Sequence, residues 1–475
     1  MSWREALKPV RMERVALLAP RPRFRDLLVA VADAGSVELD HVDDPAEGEV
    51  PAALALRRAS KPEGDLVPRL ASTEPDLDVL IDARRADLLA GEAELQRRAR
   101  SAVLRADIAG LAGWSPAAEL GALTDRLASL GAAVVPLPSA HCGEPPSLLR
   151  AGPVTGSVGP LVETYATVPY ADVDPSLLAG LVYVVMFGMM FGDVGHAAML
   201  LGGALLLRSG HPRRLARLRR GWPFLAGAGV AAAVFGALYG EAFGPTGLVP
   251  VLWLSPVESP IPLLLAAVGL GALLLAGAYL LGTLNRWREG GPAVALYSAT
   301  GIAGSAVYLG AALAGGGVVW HIGALVVCGA LAAAVGLTLA FTGLVVEAGG
   351  GAAGLTQATV ELFDIVIRIG SSTVSFARLA AFGLTHGALA ALVWEAARGL
   401  WRLGPLGMIG AVAVFVIGNA AAFGLEALVA GIQALRLEYY ELFSRVFQGE
   451  GRPFRPWHIP CADASEFTAS LREAP

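Results

Sequence analysis

Among the charged and amide side chains set in apolar runs of the C-terminal half, six stand out: Asp364, Arg378, His386, Glu426, Gln433 and Arg436. The first three lie in VELFDIVIRIGSSTVSFARLAAFGLTHGALAALVWE and the others in GNAAAFGLEALVAGIQALRLEYYELF. A charge at membrane depth costs at least ~2.5–3.5 kcal/mol, so a group kept in such surroundings calls for a function or a partner. Carboxylates there could load and release an ion, and arginines facing the protein interior could act on a partner's carboxylate. An imidazole could relay a proton. On a helix Asp364 and Arg378 would share a face about 21 Å apart, too far for an ion pair, with His386 about 12 Å beyond Arg378 on an adjoining face. Glu426 and Gln433 share a face, and Arg436 follows one turn on. The competing reading is structural: arginines snorkel to headgroups or lock helices together. Arg436, beside Glu438, Tyr439 and Tyr440, is the most open to it. Arg378, flanked by Ala, Leu and Phe, is the least, and His386 alone is equally compatible with core packing.

These residues need helices to carry them, and the composition supplies them. The 475-residue chain is 55% hydrophobic and 16% charged, against about 25% charge in ordinary soluble domains, which excludes a soluble enzyme with one conventional core. A span needs ~20 apolar residues, and candidate stretches run over 177–207, 222–240, 261–284, 293–313, 319–346, 355–400 and 406–446. As one helix 177–207 would be about 46 Å long, well beyond a ~30 Å hydrocarbon core. Its centre holds Gly192-Asp193-Val194-Gly195-His196, where a break gives two short helices and eight spans in all. The 355–400 stretch would be roughly 69 Å as a single helix, so it is broken, overhangs the bilayer, or lies oblique to it; 406–446 has the same excess. The basic segment 211–220 belongs inside by the positive-inside rule, and the same parity puts a loop at Asn285–Arg288 and the tail with Arg452 and Arg455 inside. Arg398 and Arg402 then fall outside, against the trend.

The charge concentrates in the first third. No apolar run of signal-peptide length precedes Pro20, so the N-terminus is expected to stay cytoplasmic. Met12–Leu18 reads as a strand, Arg21–Ala34 as a helix stopped by Gly35, and Val37–Leu39 as a returning strand. Over 77–108, Ile81, Leu88 and Leu95 stand one heptad apart, which suits a coiled coil or helical hairpin, or a solvated amphipathic helix on a small domain. A helix at 117–130 and a strand at 133–136 suggest a second small lobe, and 136–175 reads as a linker. The expected fold is mostly α: a polytopic membrane protein of eight transmembrane helices, the last two long and tilted, with a small N-terminal cytoplasmic α/β domain bearing a short coiled coil. The expected divisions are 1–165, 166–447 and 448–475.

Several chemistries are excluded or unsupported. A net charge of -5 gives no case for nucleic-acid binding. Lys8 and Lys61, the two lysines, stand in no phosphate-loop context, so ATP hydrolysis by that route is excluded. Gly227–Ala232 resembles a dinucleotide fingerprint only faintly, and small residues packing helix on helix explain it better. Cys142, Cys328 and Cys461 are too scattered for a disulfide framework or a zinc pattern. No cofactor and no metal are expected.

At these residues the chain resembles the membrane a-subunit family of V-type and archaeal-type rotary ATPases, subunit I in prokaryotes. The resemblance rests on Phe187-Gly-Met-Met-Phe-Gly-Asp-Val-Gly-His196, on Ser375-Phe-Ala-Arg-Leu379 through His386, and on Gln433-Ala-Leu-Arg-Leu437 with Glu450-Gly-Arg-Pro-Phe454. Ala112-Gly-Trp-Ser-Pro116 is similar to the family's cytoplasmic domain. The resemblance implies that Arg378 is the essential arginine facing a rotor-ring carboxylate and that Arg436 is the second arginine. It implies that Asp364, His386, Glu426 and Gln433 line two aqueous half-channels, and that Gly192, Asp193, Gly195 and His196 are a structural signature. The implied partners are ring proteolipids, peripheral-stalk coiled-coil subunits, the central stalk with its ATPase head, and the lipid bilayer; the ion is a proton or sodium. One departure stands out: only about residues 50–110 are available for the coiled-coil arms, which at 1.5 Å per residue reach ~45 Å at most. A secondary transporter, lacking convincing inverted repeats here, and an assembly homologue are the alternatives. A self-contained enzyme is the weakest reading, with no nucleophile or phosphate loop to support it.

Overall fold

The computed structural model describes residues 9–462 apart from 41–48, 60–65, 139–143, 151, 153, 211–212, 448 and 450. Lys8, Lys61, Cys142, His211 and Glu450 therefore lie outside the described residues. Cys328 and Cys461 are free thiols. The described residues form two units, 9–148 with 451–462 and 149–449.

The first unit is built on one antiparallel sheet. Alternating buried residues Val15, Leu17 and Ala19 make β1 (Met12–Pro20) a half-buried strand. It is followed by α1 (Phe24–Ala34), which Gly35 ends at φ 58, and by β2 (Glu38–Leu39). Helices α2 (Pro51–Arg58), α3 (Leu77–Asp82) and α4 (Ala86–Arg100) come next. The sheet is completed by β3 (Val103–Arg105) and β4 (Ile108–Pro116), then α5 (Leu120–Ala128) and β5 (Ala133–Pro136). Strand order is β2-β4-β1-β5, with β3 also on β4. The second lobe expected from 117–136 is thus an edge of the same sheet. Its central strand β4 went unread because a Gly- and Ala-rich segment has weak strand propensity.

The helix expected over 77–108 is two helices. Arg84 at φ 53 turns the chain between them, so Ile81 lies on α3 while Leu88 and Leu95 lie on α4. All three heptad positions pack into small cores of this unit. The C-terminal segment completes the unit: Trp457 donates to Val37 O (2.8 Å) and Ile459 to Ala32 O (3.1 Å). Both side chains are buried in the core under α1.

The second unit is mostly helix: α6 (Thr155–Tyr165), α7 (Ser176–Met190), α8 (Val194–Ser209) and α9 (Trp222–Tyr239). These precede α10 (Pro260–Tyr297), α11 (Ile302–Val319) and α12 (Gly323–Glu347). The last are α13 (Gly351–Ser375), α14 (Ala377–Trp401) and α15 (Pro405–Leu437). Among the described residues six helical stretches are long and apolar enough to cross a membrane, and α7 and α8 are shorter apolar helices. The expected linker contains α6. The loop expected at Asn285–Arg288 is instead inside α10, which runs on to a kink at Gly291 (φ 75) and Pro292. The overlong 355–400 stretch is broken between α13 and α14 at Phe376. The Phe376 ring is fully buried against Gly271 of α10, where a Cβ would stand 2.1 Å from it. Past α15 the chain continues as a π-helical turn, Glu438–Phe443.

Candidate functional site

The break between α7 and α8 begins a polar cluster inside the helical unit. Asp193 is the N-cap of α8 and accepts the backbone N–H of His196 at 2.9 Å. The same carboxylate accepts the N–H groups of Phe243 and Gly244, each at 2.9 Å, so it ties the break to the turn that follows α9. Val194 N donates to Glu241 O (2.9 Å) in the same turn. Gly195 is required by this closeness, since a Cβ there would lie 2.4 Å from the Phe243 ring.

His196 is fully buried one turn into α8. Its ring stands edge-on to Phe243 and to His386 of α14, with centroids 5.4 Å away in both cases. Phe191 stacks on it at 5.6 Å and Phe423 of α15 lies at 5.8 Å. His386, 2% exposed, pairs through Nδ1 with the Glu426 carboxylate of α15. Glu241 and Asn419 complete the cluster, both almost wholly buried. Gly387 admits Glu241 to the α14 backbone, since a Cβ there would stand 2.7 Å from Oε1. Several polar atoms in this cluster lack a hydrogen-bond partner among the described residues: both ring nitrogens of His196, Nε2 of His386, Oε2 of Glu241, Oδ1 of Asn419 and Oε1 of Glu426. Ligand atoms of Asp193, His196 and His386 all lie within 4.8 Å of one another.

The structure thus joins His386 and Glu426, two of the four residues the resemblance assigns to the aqueous half-channels, with Asp193 and His196, assigned to a structural signature. Glu241 and Asn419 were missed. Asn419 sits seven residues before Glu426 on α15, the spacing that places two groups on one helix face. Glu241 follows the last residue of an apolar run, where a hydropathy window stops.

The other candidates lie elsewhere. Asp364 is exposed on α13 and pairs with Arg368 one turn away. Arg378 is half-buried at the start of α14 and lines an open groove of about 880 Å³ with Pro260, Leu264, Val374 and Leu384. Gln433 is half-buried on α15, its Oε1 without a partner among the described residues, and Arg436 is exposed. Just beyond, Glu438 is fully buried in the π-helical turn, and Arg445 stands over the Tyr279 ring at 5.4 Å with Nη2 3.4 Å from Ser372 Oγ. Asp172, also fully buried, precedes α7, where Val173 N donates to Asn285 Oδ1 (3.1 Å) and Arg286 pairs with Glu289 at 2.5 Å.

Residues 105–217 match the model of the V-type ATPase 116kDa subunit family. The chain is similar to the A-type ATP synthase subunit I of Pyrococcus horikoshii, 28% identical over 62% of this chain and 45% of that protein. It is similar to the protein of the same name in Pyrococcus abyssi, at 27% over 62% and 45%. The Halobacterium salinarum subunit I is 28% identical over 64% of this chain and 50% of its own length. The chain spans about half the length of the curated relatives it matches.

Proposed function

These matches place the chain in the V/A-type ATPase subunit I family, and on that footing we propose that it is a stator subunit of the membrane sector of a rotary ATPase. The observation that carries the reading is Arg378, among the described residues the one charged side chain lining a wide groove between α10, α13 and α14. A rotor ring in lipid must keep its carboxylate protonated or ion-bound to escape the charge penalty. Opposite a guanidinium the same carboxylate is favoured in its ionised form, because a nearby positive charge lowers its pKa. Arg378 therefore releases the ion and blocks a direct path between the two sides, so that transport requires rotation. Arg436 supports it, as the second arginine.

In this proposal the His386–Glu426 pair, with Gln433 and Asp364, serves access to the ring. Two of the four differ in setting: the carboxylate of Glu426 is largely buried against His386, whereas Asp364 faces outward beside Arg368. The ion is a proton or sodium. The six long helical stretches, α13 and α14 counted as one, together with α7 and α8 make eight spans, with the N-terminal unit, the 209–220 segment and the tail cytoplasmic. That unit acts as a collar for peripheral-stalk helices and binds no nucleotide; the ring, the stalks and the ATPase head are the partners.

The test is ATP-driven ion pumping in vesicles carrying the full complex, with a check that the complex is intact. Arg378→Ala is expected to abolish pumping and leave assembly unchanged. Normal pumping by that variant would overturn the mechanism in favour of a non-transporting assembly homologue.

A further inference from the structure

We infer that Asp193, His196 and His386 form a binding site for a divalent transition-metal ion of the zinc class. The inference concerns binding and does not depend on the transport reading.

Three observations lead to it. The first is the donor set: two imidazoles and a carboxylate, from the N-cap and first turn of α8 and from the middle of α14, with ligand atoms mutually within 4.8 Å and all three residues buried. The second is that three of the four imidazole nitrogens have no hydrogen-bond partner among the described residues. His196 is 0% exposed, and both of its ring nitrogens lack a partner among the described residues; the same holds for Nε2 of His386. An unsatisfied buried polar group is destabilising, and a metal ion removes that penalty by taking up the lone pair. The third is the pairing of His386 Nδ1 with the Glu426 carboxylate. A carboxylate on one imidazole nitrogen fixes the proton there, leaves a lone pair on the other and raises its basicity, the arrangement that orients histidines in metal sites.

Asp193 suits the third position. Its oxygens already accept three backbone N–H groups, which hold the carboxylate in place, and a carboxylate has about four lone-pair directions, so one remains. Glu241, with Oε2 unpartnered among the described residues, adds a further acidic group next to His386. Imidazole nitrogens select zinc-like ions over magnesium or calcium, which take oxygen ligands. With bonds of about 2.0–2.1 Å, neighbouring ligand atoms around a tetrahedral ion lie roughly 3.3 Å apart. The free direction of Asp193 is on Oδ2, and the ligand atoms of the three residues lie within 4.8 Å of one another, so modest closure of the side chains seats the ion.

The experiment uses the full chain purified in detergent and stripped of metal. Cobalt(II) serves as the probe because a four-coordinate nitrogen and oxygen site gives it intense visible ligand-field bands. We expect one cobalt per chain with such bands, displaced by zinc, and affinity at least tenfold weaker in His196→Gln and in His386→Gln. His321→Gln, at an exposed turn, should bind as the parent does. Circular dichroism and size-exclusion profiles identify any variant that fails to fold; His196→Cys, which supplies another zinc ligand at the same place, is then expected to bind. Absence of tight cobalt binding to the parent chain would overturn the inference. So would unchanged affinity in both glutamine variants, or loss of binding in a well-folded His196→Cys.

Discussion

Glu426 and His386 are 40 residues apart in the chain, yet the Glu426 carboxylate meets His386 Nδ1 between α14 and α15. The two helices pack side by side along most of their length, and the pair lies within that contact, next to His196. Truncating one partner would strand the other away from water. Glu426→Gln keeps an acceptor for the ring but loses the charge-assisted part of the bond, about 1 kcal/mol. We expect the complex to assemble, ion pumping to slow several-fold, and the ratio of ions moved to ATP hydrolysed to stay constant. Parallel measurement of pumping and ATPase rates checks this, and a falling ratio would mean that Glu426 belongs to the barrier.

Arg378→Lys should be severely impaired, although the charge is formally kept. A guanidinium stays protonated at any working pH, whereas an ammonium held among apolar helices can give up its proton and, on the proposed mechanism, would no longer hold a rotor carboxylate ionised. The measurement is ATP-driven pumping over a range of pH, with a passive leak assay on the same vesicles. Parent-like pumping throughout would contradict the role given to Arg378.

The proposed eight-span topology predicts which side of the membrane reaches Ser209, at the end of α8. A cysteine placed there, with the three native cysteines replaced, should resist an impermeant maleimide added outside intact cells and react once the cells are opened. Rapid labelling from outside would remove either α7 or α8 from the spans.

In the N-terminal unit, Arg25 of α1 holds Glu92 of α4 through contacts of 2.8 and 3.4 Å, and the Glu92 side chain is only 4% exposed. Arg25→Ala leaves that carboxylate buried and unpaired, so it should cost about 3 kcal/mol. Replacing both by apolar residues should cost much less. Denaturant unfolding of the full chain, followed at Trp114 and Trp457 of this unit, compares the single and double variants.

The Arg126 guanidinium hydrogen-bonded to Asp33 holds the Asp33 carboxyl below its ordinary value of 3.8. A carboxylate whose folded pKa is depressed adds stability above its unfolded pKa, and that stability disappears as pH falls through the folded value. Both side chains are partly exposed, which limits the contribution to less than about 1 kcal/mol. Hydrogen-exchange protection of α1 and α5 should therefore be lower in Arg126→Ala than in the parent at neutral pH, and the difference should close in acid below 3.8.

Local pattern determined much of this protein. The alternation at Val15, Leu17 and Ala19, the stop at Gly35 and the weak point at Gly192–Gly195 are effects of backbone and nearest neighbours, so they are legible without a partner segment. Hydropathy likewise marks the apolar helices and makes Arg378, His386 and Glu426 conspicuous. Where a break falls inside a long apolar run is a different matter: Phe376 interrupts one because its ring has a place against Gly271, and that place belongs to another helix. The same holds for the weakly patterned strand β4, which exists because β1, β2 and β3 hydrogen-bond to it. Tertiary structure alone decided that Asp193 and His196 of α8, Glu241 after α9, His386 of α14 and Asn419 and Glu426 of α15 share one buried cluster. Spacing along a helix fixes which residues share its face, but which faces meet depends on how the helices pack.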